Sequence, residues 1–100
     1  MSEVIRFQFP EGAVRDEVEG DACLAIFSAE CLHGRPQTLL EASYLVSPDG
    51  RCLALQVRGP AGETAVRVFI GLCGERFGEA GFRVERVERE RGAPEEAGRE

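Results

Sequence analysis

TLLEASYLVSPDGRCLALQVR, residues 38–58, decides the fold. Two apolar runs flank Ser47-Pro48-Asp49-Gly50. Proline presets the first turn dihedral and glycine accepts a positive φ, so the stretch reads as a β-hairpin. A four-residue loop at 47–50 predicts Tyr44 opposite Leu53, Ala42 opposite Leu55 and Leu40 opposite Val57. All six then share one apolar face. The other face pairs Glu41 with Gln56 and Ser43 with Ala54. A one-residue slip would invert this sorting of faces, which makes the pattern informative.

The flanking segments follow by periodicity. Val4–Phe9, VIRFQF, alternates: Ile5, Phe7 and Phe9 on one face, Val4, Arg6 and Gln8 on the other. That is a half-buried strand, ended by Pro10. After the hairpin, Ala65, Val66, Phe69, Ile70, Leu72, Cys73 and Phe77 recur at helical spacing and predict a helix from about Ala61 to Phe77. Gly71 and Gly74 lie inside it, each costing roughly 1 kcal/mol against alanine. They point to close packing on a neighbour or to a shorter helix. Phe82 and Val84 alternate with Arg83 and Glu85 as a last strand.

GDACLAIFSAECLHG, residues 20–34, admits two readings. As a strand, Cys23, Ala25, Phe27, Ala29 and Cys31 line one face. As a helix, Val14, Val18, Ala22, Ala25, Ala29 and Leu32 form a narrow seam. Alanine favours helix and β-branched residues are scarce, so helix is preferred. Gly20 is the flaw; the helix can start at Asp21, with that aspartate as N-cap. Gly34 and Arg35-Pro36 stop it.

The order is then strand, helix, strand, strand, helix, strand. It implies an α+β domain of the ferredoxin-like βαββαβ type, a four-stranded antiparallel sheet with two helices on one face. The alternative is an antiparallel meander with one helix. Residues 1–89 form the expected single domain. No large apolar residue follows Val87, so 90–100 is expected to be a disordered acidic and arginine-rich tail.

Composition narrows the function classes. A chain of 100 residues, 43% hydrophobic, is one globular domain. Net charge is −6 and no basic stripe exists, which argues against tracking phosphates of nucleic acid. All twelve basic residues are arginine, and lysine, asparagine and tryptophan are missing, a bias that points to a GC-rich bacterial genome. No apolar run approaches the ~18 residues of a membrane span, and MSEVIRFQFP lacks a leader pattern. The expected compartment is the cytoplasm, where free thiols persist.

Four cysteines and one histidine are the candidate chemical groups. Eight helical residues span about 12 Å, too far for Cys23 and Cys31 to bridge. Cys31 and His33 point about 200° apart around a helix, and no C-x-x-C occurs, so no metal site is expected. Buried, inert thiols are the expected reading. A reactive thiol, if any, falls on Cys52 or Cys73. His33 sits near a helix end, where a cation is favourable.

In the expected order the first and third strands are central, with Val4, Arg6, Gln8, Cys52, Ala54 and Gln56 facing outward. RNA-recognition domains of this architecture stack bases on aromatics there. This chain has none, and acylphosphatase chemistry needs an asparagine that it lacks. Solvent, a second copy or a small ligand can cover the face. The candidate binding residues are Arg6, Gln8, Glu41 and Gln56, with Leu39, Leu45 and Val4 as apolar contacts; no residue is assigned a catalytic role.

The expected function is a small, non-catalytic regulatory or adaptor domain acting through protein–protein contacts as a homodimer. The alternative is a small dimeric enzyme or small-molecule-binding protein with a pocket between sheet and helices. A redox protein using Cys52 or Cys73 is third. No cofactor, metal, nucleic acid or membrane partner is expected. The partner is a second copy or another protein, and a small-molecule ligand is compatible.

Overall fold

A computed structural model describes residues 2–89. The expected tail at 90–100 lies outside the described residues. β1 (Ser2–Gln8) carries the alternating VIRFQF run and is followed by α1 (Arg15–His33) and α2 (Arg35–Glu41). β2 (Ala42–Val46) and β3 (Cys52–Val57) form the hairpin. α3 (Gly59–Phe77) and β4 (Arg83–Arg89) complete the chain. The four strands make one antiparallel sheet in the order β2-β3-β1-β4, with β3 and β1 central.

The fold is thus α+β with a four-stranded antiparallel sheet and three helices. The expectation of two helices is corrected. Residues 38–41, expected to open the second strand, and Arg35-Pro36, expected only to stop the first helix, belong instead to α2. Pro36 sits in its first turn, where the missing N–H costs nothing. The buried Thr38 hydroxyl donates to the Gly34 carbonyl at 2.9 Å, tying the helix to its own start. Leu40, expected against Val57, is therefore an exposed helical residue.

That change shifts the hairpin register by two. Ala42 pairs with Val57, Tyr44 with Leu55 and Val46 with Leu53. On the other face Ser43 meets Gln56 and Leu45 meets Ala54. A two-residue slip keeps every side chain on its face, so the sorting survives although each partner changes.

One face of the sheet packs on the helices. Ile5, Phe7, Leu53, Leu55 and Val57 are buried against Val18, Ala22, Ala25 and Ala29 of α1 and Ala65, Val66, Phe69 and Cys73 of α3. Phe7 and Phe69 meet edge-to-face at 4.7 Å, and Phe9 stacks on Phe77 at 5.3 Å. Residues 20–33 are helical, with Gly34 as the C-cap, and α1 runs on through Gly20. Its small seam lets the backbones of α1 and α3 approach. The seam is shorter than expected, since Val14 and Leu32 at its ends are exposed.

Asp21 is not an N-cap. It lies inside α1, buried, and its carboxylate accepts from Arg76 of α3 at 2.7 and 3.1 Å. The fork geometry suits a planar guanidinium and fixes the two helices' relative register. His33 makes a second link, its Nε2 lying 2.8 Å from the Thr64 hydroxyl.

α3 continues through Gly71 and Gly74, and a Cβ added at either would meet nothing within 4 Å. The close approach falls at Gly62 instead, where an added Cβ would stand 2.7 Å from the Glu41 carbonyl oxygen. No helix among the described residues is long and apolar enough to cross a membrane.

Candidate interaction surface

Among the described residues, the second face of the sheet carries no helix. Its cross-strand rows follow from the register. Leu45, Ala54, Arg6 and Glu85 form one row. Ser43, Gln56, Val4 and Val87 form the next, and Cys52, Gln8 and Arg83 a third. Three leucines dominate the β2 side. Leu39, Leu40 and Leu45 are 63%, 70% and 76% exposed. Leu39 and Leu40 belong to α2 and Leu45 to β2, which follows it directly, so the exposed apolar groups of this side come from two consecutive elements and make it a candidate contact surface.

Two shallow concavities lie along this side. One, about 220 Å³, is lined by Leu39, Leu40, Glu41, Ser43, Gln56 and Arg58 among others. The second, about 420 Å³, takes Arg6, Gln8, Leu45, Cys52 and Ala54 into its wall. The four candidate binding residues are therefore split, with Arg6 and Gln8 in one hollow and Glu41 and Gln56 in the other.

Glu41 stands apart from the other three. It ends α2 rather than lying in the sheet, and Ser43 takes the place expected for it opposite Gln56. Its carboxylate accepts the Ala61 N–H at 2.8 Å, and its carbonyl accepts the Arg58 N–H at 2.9 Å. No side chain of α3's own N-terminus caps that helix. Glu41 caps it from outside, placing negative charge where the helix dipole favours it. The Gln37 amide supports the carboxylate at 3.2 Å. Sequence reasoning had no signal for this, because the cap lies twenty residues from the helix it serves.

The cysteines do not line the interior. Cys23, Cys31 and Cys52 are exposed and only Cys73 is buried, and all four are free thiols. The buried face of residues 20–34 belongs to its alanines. Burial pushes the Cys73 thiol up to about 12, with the Asp21 carboxylate adding to the effect. A thiol held neutral is a poor nucleophile, which removes Cys73 as a reactive candidate. A thiol titration in native buffer is expected to count three fast-reacting groups, with the fourth appearing on denaturation. Four fast groups would contradict the packing of Cys73.

One polar cluster lies on the helix side of β2. The Tyr44 hydroxyl donates to Glu19 at 2.8 Å and sits 3.5 Å from the Cys23 sulfur. The Cys23 thiol and the Glu19 carboxylate together hold the phenol above its ordinary value. Arg15 pairs with the same glutamate at 3.3 Å. These bonds fasten β2 to α1. Among the described residues, no three His, Cys, Asp or Glu side chains gather as metal ligands.

The space between sheet and helices is filled by the rings of Phe7, Phe9 and Phe69. No family model matches the chain, and no curated protein matches it.

Proposed function

We propose that this chain is a non-catalytic regulatory or adaptor domain that works through protein–protein contacts and does so as a homodimer. The observation that carries the reading is the exposure of Leu45 on a sheet face that no helix covers among the described residues, with Leu39 and Leu40 of the adjoining α2 also exposed. Each leucine removed from water on association contributes roughly 1.5–3 kcal/mol. Three of them supply a useful share of the free energy that a micromolar complex requires, about 8 kcal/mol.

The fold reading that accompanies it is ferredoxin-like. Its support is the order of strands and helices along the chain and the central position of β1 and β3. α2 is an addition to that scheme. The compartment we propose is the cytoplasm, where exposed thiols such as those of Cys23, Cys31 and Cys52 are kept reduced. A binding pocket between sheet and helices finds no support, because phenylalanine rings occupy that space.

Sedimentation equilibrium across the micromolar range is expected to show a reversible dimer. A mass that stays monomeric at every concentration would overturn the homodimer reading.

A further inference from the structure

The homodimer just proposed can form in several ways, and the two edges of the sheet are not equivalent. β4, at one edge, reads RVERVER, and five of its seven residues ionise. Such charge is how natural sheets blunt an exposed edge. β2, at the other edge, reads ASYLV and holds no charge, no proline and no glycine. Ser47 and Pro48 extend the uncharged run to seven residues in a chain of net charge −6.

The hydrogen-bond pattern shows which groups this edge offers. The Ser47 N–H donates to the Cys52 carbonyl at 2.9 Å, and the Arg58 N–H to the Glu41 carbonyl at 2.9 Å. Hydrogen-bonded pairs alternate along an antiparallel ladder, so Ser43 and Leu45 also direct their backbone groups toward β3. Ala42, Tyr44 and Val46 direct theirs to the outside. The Ala42 N–H is taken by the Thr38 carbonyl at the end of α2. That leaves the Ala42 C=O and the N–H and C=O of Tyr44 and of Val46 facing away from the sheet, with no neighbouring strand on that side among the described residues.

We infer that β2 pairs antiparallel with β2 of a second copy, about a two-fold axis through Leu45, to make one continuous eight-stranded sheet. In this register Tyr44 of each copy lies opposite Val46 of the other. The outward N–H and C=O of Tyr44 and Val46 are all used, giving four backbone hydrogen bonds across the axis, while the Ala42 carbonyl faces Pro48, which has no N–H to give. Leu45 meets Leu45 of the second copy as a non-hydrogen-bonded pair, the closest kind, with Cα atoms about 4.5 Å apart. The most exposed of the three leucines thus covers itself. The same register brings the Pro48 turn of one copy alongside the α2 end of the other, where Leu40 is exposed. A two-fold contact of this sort is self-complementary and closes, so it stops at two copies.

The inference rests on the homodimer reading, and its test separates the two. Leu45→Glu and Leu45→Lys are surface changes that leave the helix-side core untouched. Each alone sets like charges face to face on the axis, so each is expected to weaken the dimer at least about 100-fold by sedimentation. Mixed in equal amounts, the two variants are expected to form a heterodimer, because the axis then holds a carboxylate against an ammonium. In a second measurement, Leu45→Cys with Cys23, Cys31 and Cys52 changed to serine is expected to oxidise to a disulfide-linked dimer, the Cα separation lying within bridging range. Undiminished dimer in both charge variants, or two monomeric variants that fail to recombine, would overturn edge pairing and leave the homodimer reading standing. A wild-type chain that never associates would overturn both.

Discussion

Phe7→Ala is expected to remove a large share of the domain's stability. Phe7 has no exposed surface and lies next to the C-terminal end of β1, which is hydrogen-bonded on both sides. Its ring touches the edge of Phe69 at 4.7 Å with an interplanar angle of 88°, and it lies within 6.5 Å of the rings of Phe9 and Phe82. Truncation therefore empties the one place where both central strands, α3 and the approach to β4 converge. Buried phenylalanine-to-alanine changes cost about 3–5 kcal/mol, including the cavity left behind. A domain of this size holds only about 5–15 kcal/mol in all. The melting temperature should fall by roughly 15–30 °C, since 1 kcal/mol is worth about 4–8 °C at this length. Thermal melts followed by far-UV circular dichroism measure it directly. A drop of only a few degrees would mean that the sheet face of Phe7 is not the core.

The importance of Phe7 was legible in the sequence, and so was most of the core. Alternation in VIRFQF separates Ile5, Phe7 and Phe9 from Arg6 and Gln8 without reference to anything else. The same holds for Leu53, Leu55 and Val57, because a period of two fixes faces whatever the partner strand does. Register is a different kind of information. It depends on where β2 begins, and TLLEAS carries a run of apolar residues that suits a strand or a short helix equally well. Pro36, which reads as the end of α1, is also a sound first-turn residue for a new helix. Its second meaning becomes visible only when Thr38 is seen buried. The cysteines misled for a related reason. Free cysteine is commonly buried, but in α1 the alanines take the narrow space against α3 and turn Cys23 and Cys31 outward. Contacts between distant segments were not legible at all. Asp21 with Arg76, and Glu41 with Ala61, join residues whose separation along the chain gives no hint of the pairing. The exposed leucines illustrate the same limit for the candidate site. Leu39 and Leu45 were expected on the open face, but the uncharged edge that gives them a role required the strand order.

Gly50→Ala is the second change expected to act strongly, although it adds a single methyl group. Gly50 closes the hairpin loop, its N–H donating to the Ser47 carbonyl at 3.0 Å. Its φ is +76°, in the left-handed region, which costs a residue with a Cβ about 1–2 kcal/mol. The second cost comes from packing. Gly50 is buried under the first turn of α1, and a Cβ there would stand 2.6 Å from the Arg15 Cα and 2.8 Å from the Arg15 N. Those are backbone atoms of a helix and cannot swing aside as the end of a side chain would. Overpacking of this kind costs about 1–3 kcal/mol, so the two effects together approach about 2–5 kcal/mol. Asp49 increases the resistance to relaxation. It accepts the Arg51 N–H at 3.0 Å and the Ser47 hydroxyl at 2.7 Å, bonds that hold its carboxyl below the usual carboxylate range and stiffen the loop. Gly20→Ala provides the contrast of sign. Gly20 lies inside α1 with nothing within 4 Å of its would-be Cβ, so alanine there should stabilise by about 1 kcal/mol through helix propensity alone. Urea unfolding of the two variants should move the midpoint in opposite directions. If Gly50→Ala unfolds at the wild-type midpoint, the hairpin loop does not rest on α1 as the structure has it.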